Sequence, residues 1–203
     1  MPRRLTVLSS LGIAALLVAA ACGSPTPERS RAFPVTSRSQ LIGGARALGE
    51  VGDIRLENER IRVVIQAPGF SRGFGVYGGS LIDADFRRAS EEGSSAGGAG
   101  SDQFGELFPA FFVQACAVDA LRILDDGSTG GPARVEASGT AGDFLELAAL
   151  LNRAVTGSNA DWRNGSSTPR LRYSTVYELA PGARWVTLRF TVENIADEAL
   201  VFP

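Results

Sequence analysis

Two stretches of this 203-residue chain alternate apolar and polar side chains with a period of two, and that period restricts the fold more than any other feature. After Asp53, Ile54 and Leu56 alternate with charged residues, Asn58-Glu59 falls where a turn is needed, and Ile61, Val63 and Ile65 resume the alternation. Further on, Leu171, Tyr173, Thr175, Tyr177 and Leu179 alternate, Pro181-Gly182 supplies a turn, and Val186, Leu188, Phe190 and Val192 alternate again. Successive side chains of a strand point to opposite faces, so such runs bury one face and wet the other. Each predicts an antiparallel hairpin. The first closes through two residues or a slightly longer turn, because Glu59 suits a type I′ position poorly.

The segments between them read mostly as further short strands. Leu81 to Phe86 is one, reached through a glycine-aromatic loop, APGFSRGFGVYGGS, in which Phe70, Phe74 and Tyr77 are expected to cover the sheet edge. Ala89 to Ser101 is low-complexity and expected as an exposed, mobile loop. An aromatic-rich run predicts a strand or strand pair from near Ala110, another at Ala120 to Leu124, a turn at DDGSTGG, and a strand at Ala133 to Gly139. Only DFLELAALLNRAV breaks the rhythm: Phe144, Leu147, Leu151 and Val155 fall at helical spacing, and Asp143 with Glu146 has the form of a capping box. The class that follows is mainly β, an antiparallel β-sandwich with one short helix.

The N-terminal run RRLTVLSSLGIAALLVAAAC has two arginines, an apolar stretch from Leu5 to Val18, and small residues Ala19-Ala20-Ala21 before Cys22. It resembles the lipobox leader of bacterial lipoproteins. That resemblance implies removal of residues 1–21, lipidation of Cys22, and an extracytoplasmic, membrane-anchored domain in the cell envelope. With Gly23 after the cysteine it implies the outer membrane wherever the envelope has two. The apolar run is shorter than the roughly 20 residues a spanning helix needs. From Gly23 to Gln40 the chain is rich in Pro, Ser, Thr and Arg, which predicts a flexible tether over 22–50 and a folded domain over 51–203, one that a longer reading frame would continue.

Cleavage there would remove Arg3 and Arg4 from 20 basic residues and leave 18 against 22 acidic ones, a net charge of −4. Mild acidity with no clustered basic run speaks against nucleic acid as partner. There is no histidine, which removes the usual general base, the commonest zinc ligand and the usual near-neutral proton donor. No cofactor or metal is expected. Gly73, Gly75 and Gly78 satisfy G-x-G-x-x-G formally, yet a β-type segment follows where a dinucleotide site needs a helix. Asp125-Asp126-Gly127 reads as a plain turn. Cys116, in FFVQACAVDAL, reads as a small buried hydrophobe; without lipidation of Cys22 the two cysteines could pair.

The order LENERIRVVI, GGSLIDADF and YELAPGARWVTLRFTVEN resembles the two-sheet supersandwich of galactose-mutarotase-like proteins and of β-domains in carbohydrate-active enzymes. The resemblance implies a partial supersandwich and a leaning toward sugar ligands. Mutarotase chemistry in that fold uses histidine, so its activity does not carry over to this chain.

Three functions compete. The first is a non-catalytic envelope domain that binds glycans or another envelope protein, with Trp162, Arg163 and Tyr77 as candidate contacts because an aromatic face stacks on a sugar ring. The second is a fragment of a larger carbohydrate-active or other envelope hydrolase or lyase using Asp83, Asp85, Asp102 and Glu106 as paired carboxylates. The third is a purely structural module of an envelope assembly. No constellation in the chain requires catalysis.

Overall fold

A computed structural model of the chain describes residues 28–88, 100–111, 114–145, 147, 150, 154, 170–197 and 199. They form a mainly β fold of two antiparallel sheets. The first has the order β1-β2-β3-β4, built from β1 (Arg31–Pro34), β2 (Ile54–Glu57), β3 (Ile61–Ile65) and β4 (Leu81–Phe86). The second has the order β5-β6-β7-β8-β9, built from β5 (Ala110–Phe111), β6 (Gln114–Asp125), β7 (Ala133–Asp143), β8 (Leu171–Leu179) and β9 (Thr187–Asn194).

The alternating runs pair as their pattern predicts. β2 and β3 are neighbours with Ile54 opposite Ile65, and β8 and β9 are neighbours with Tyr177 opposite Leu188. Their apolar phases meet between the sheets, where Leu56, Val63, Ile65, Val135, Tyr177 and Leu179 form the main core. Tyr177 bridges the layers, its buried hydroxyl donating to the Gly79 carbonyl at 2.8 Å. A smaller core of Cys116, Leu171 and Tyr173 lies toward the far end of the long second sheet.

The polar phase of the first sheet is not left to water. Residues 35–53 and 100–106 lie over it as a third layer, and every residue of β3 is buried as a result. Ile42 packs there on Val64 and Ile82. The Asp83 carboxylate accepts the amides of Leu48 at 2.7 Å and Gly49 at 2.9 Å, and Arg55 donates to the Gln40 carbonyl at 2.6 Å. Glu57, buried, is ion-paired by Arg31 and Arg55. Buried charges persist only when paired and hydrogen-bonded, and these side chains are so placed. Gly44 lets the two segments of this layer touch: at φ 129° a Cβ there would stand 2.1 Å from the Asp102 amide nitrogen.

Several expectations change. Among the described residues, β1 is already paired with β2 well ahead of Val51, so the segment from Arg31 to Glu50 is folded onto the sheet and does not belong to a tether. Its polar composition conceals Ala32, Val35 and Ile42, each buried. The separate strand at Ala120 to Leu124 is the second half of β6, which runs unbroken from Gln114. A bulge at Asp119 shifts the register between Val118 and Ala120 and interrupts the alternation. Another register shift, between Val64 and Ile65, leaves Ile82 as an extra residue in β4 and separates Leu81, in the core, from Asp83 and Asp85 on the opposite face. Phe70 and Phe74 do not cover the sheet edge: they are 86% and 71% exposed, because Phe70 bridges Tyr77 and the glycine loop becomes a small hairpin of its own. Within the expected helix Leu147, Leu150 and Ala154 are helical; Glu146, Leu151 and Val155 lie outside the described residues.

Candidate functional site

The strands of the first sheet are four to six residues long, and β6, β7, β8 and β9 of the second run to between eight and twelve. Two layers of unequal length cannot cover each other, so apolar surface near the β8–β9 turn faces an open space. That space is a groove of about 500 Å³. One wall is the inner face of β3 and β4, with Ile61, Val63, Ala84 and Phe86; segment 101–107 contributes Phe104 and Leu107. The other wall is Trp185, Val186 and Leu188, entering β9. Its size falls within the range of small-molecule sites.

Trp185 is 69% exposed and Phe86 60% exposed at the mouth, a large aromatic surface for a groove of this size. The turn that presents Trp185 is held from the other sheet: Asn58, buried in the β2–β3 turn, donates to the carbonyls of Ala180 and Ala183, both at 2.8 Å. Around the rim stand Arg62, Asp85, Arg88, Ser101, Gln103 and Arg184. Arg62 donates to Asp85 at 3.0 Å, Arg88 donates to it twice, each at 2.9 Å, and the Ser101 amide adds a further bond at 2.9 Å. Burial alone would raise the Asp85 carboxyl, but these hydrogen bonds and the adjacent guanidinium charge outweigh it and hold the group down at about 2. The rim therefore carries a fixed carboxylate clasped by two cations.

The four carboxylates considered for hydrolysis are each held in hydrogen bonds or ion pairs within the fold. Asp83 binds the amides of Leu48 and Gly49; burial raises its carboxyl against that help. Asp102 accepts the amides of Ala84 at 3.1 Å and Phe104 at 2.9 Å. Glu106 takes the hydroxyls of Ser71 and Ser80, both at 2.6 Å, and the Gly75 amide at 2.5 Å, clasping the glycine hairpin. Of the four only Asp85 lines the groove, and both its oxygens are occupied by arginine. Compared with protein-family models, with curated proteins and with solved structures, the chain gives no match.

Of the contacts chosen from the sequence, Tyr77 is half-buried away from this groove, its hydroxyl donating to the Asp143 carbonyl at 3.2 Å and its ring lying against Gly142. Cys22, Trp162 and Arg163 lie outside the described residues. Trp185 is the residue that sequence reasoning passed over. A signal existed: it precedes the apolar phase of Val186, Leu188 and Phe190 by one position, out of step with the core, so a large aromatic was placed where burial is not required.

Proposed function

We propose that this protein is a lipid-anchored domain of the cell envelope that binds a ligand without transforming it, and that the groove at Trp185 is its binding face, with glycans as the favoured class. One observation carries this reading: an apolar groove whose mouth is formed by two exposed aromatic rings, Trp185 and Phe86, with polar and charged side chains around it. Aromatic faces stack on the C–H faces of a sugar ring, and side chains such as Gln103, Ser101 and Arg184 can order its hydroxyls. Anchoring through Cys22 supports the same reading, since a tethered module that captures polysaccharide needs no catalytic group. In a two-membrane envelope the outer membrane is the proposed site.

Two experiments test it. Metabolic labelling with a radioactive fatty acid should mark the wild-type chain and not Cys22→Ser; equal labelling, or none, contradicts the anchor. Detergent-solubilised full-length protein on a glycan array should bind a defined subset, and Trp185→Ala should lose that signal at least tenfold, as expected when a stacking contact of about 1.4 kcal/mol or more is removed. Absence of wild-type binding to any glycan ends the sugar reading.

A further inference from the structure

The two sheets have four edges, and three are closed off. β1 is four residues long, ends in Pro34, and gives its Ala32 amide to the Asp126 carbonyl at 3.1 Å. β4 exchanges backbone bonds with Leu107 at Leu81, at 3.0 and 2.9 Å, and spends its Ala84 amide on the Asp102 carboxylate. β5 is only two residues. β9 is different. It runs eight residues without proline, keeps an unshifted register with β8, and among the described residues no strand lies on its outer side. An edge of that length and regularity is a template for another strand.

We propose that β9 pairs antiparallel with β9 of a second copy of this chain, about a two-fold axis at Thr191, joining the two five-stranded sheets. The strand TLRFTVEN is self-complementary in this register alone. With the axis at Thr191, Arg189 of each copy stands opposite Glu193 of the other, and Phe190 stands opposite Val192. The charged pair lies on the exposed face and the apolar pair continues the half-buried inner face, where Phe190 already packs on Tyr173 at 5.4 Å. Moving the axis to Phe190 sets Arg189 against Thr191, and moving it to Arg189 brings two guanidinium groups together. Directly opposed pairs of this kind are the unit of sheet stabilisation, and two-fold pairing counts each of them twice. Glu193 also faces Arg172 within its own sheet, so it would lie between two cations.

A mixing experiment decides the matter. Full-length protein in detergent should sediment as a dimer. In a homodimer Arg189→Glu sets two carboxylates against each other across the interface, and Glu193→Arg sets two guanidinium groups together, so each variant alone should dimerise roughly tenfold or more weakly. An equal mixture restores both opposite-charge pairs and should form a heterodimer near wild-type affinity. That recovery excludes misfolding as the cause of the losses. Thr191→Cys reports the register: at the axis it should cross-link under mild oxidation, whereas Thr187→Cys should not. A monomeric wild type, or a dimer that neither variant weakens, overturns the proposal. So does a mixture that fails to recover, or equal cross-linking at both positions.

Discussion

Asn58 and Ala183, 125 residues apart, are joined by a 2.8 Å hydrogen bond from the Asn58 side-chain amide to the Ala183 carbonyl, inside the protein. The same side chain uses its second donor on Ala180 and accepts the amides of Arg60 and Ile61 at 2.8 and 2.9 Å. One residue thus closes the β2–β3 turn and holds the β8–β9 turn that carries Trp185. Asn58→Ala removes the side-chain partner of the Ala183 carbonyl and of the Arg60 and Ile61 amides, while the Ala180 carbonyl keeps the Ala183 amide, and should cost about 2 to 4 kcal/mol in urea unfolding. Asn58→Asp keeps the two acceptor contacts but faces two carbonyls with a carboxylate, and should be no better. A loss below the error of the measurement would show that the clip is not structural.

Asp85 makes stability depend on acid. Its folded-state value, about 2, lies below the ordinary 3.8, so its contribution is complete above pH 4 and is lost as pH falls from 4 through 2. Asp83 acts in the opposite sense: its raised carboxyl favours the protonated folded state and weakens the fold as pH rises through its folded-state value. Unfolding free energies from pH 2 to 7 should therefore show the gap between wild type and Asp85→Asn opening between pH 2 and 4. A gap that is constant with pH would contradict the assignment.

Gly142 is required by Tyr77. A Cβ at that position in β7 would stand 2.5 Å from the far end of the Tyr77 ring, which would have to swing aside and give up its bond to the Asp143 carbonyl. Gly142→Ala should destabilise by roughly 1 to 3 kcal/mol. Adding Tyr77→Ala should return part of that loss, and a double-mutant cycle measures the coupling. Strict additivity of the two substitutions would rule out the contact.

The Cys116 thiol should be inert. It is buried beside Tyr173, and burial, together with the Asp119 charge, pushes it up to about 12. Thiolate is the reactive form, so little exists near neutral pH. Alkylation at this residue, followed by mass spectrometry, should appear only with global unfolding in denaturant. Labelling under native conditions would mean that the small core opens locally.

Period-two alternation made the β2–β3 and β8–β9 hairpins and their inward faces legible in the sequence, because a buried face leaves a mark on every second residue. What stayed hidden has two physical causes. A bulge adds one residue and reverses the phase, which is why Asp119 made one strand, β6, read as two, whereas β4 was legible over its full length despite the extra residue Ile82. The outer layer leaves no period at all: Asp83 meets Leu48 and Gly49 through single hydrogen bonds spanning about thirty-five residues, and a stretch whose buried groups are mostly backbone amides looks like a linker. The groove follows from unequal strand lengths, a property of two sheets together. Trp185 alone offered a local hint.

The most direct test uses Trp185 as its own reporter. In a Trp162→Phe chain its fluorescence can be followed while oligosaccharides from the array are titrated in. A saturable shift in emission is expected with each bound sugar, abolished by Phe86→Ala together with loss of binding on the array. Binding that leaves Trp185 emission unchanged would place the ligand elsewhere and contradict the assignment of the groove.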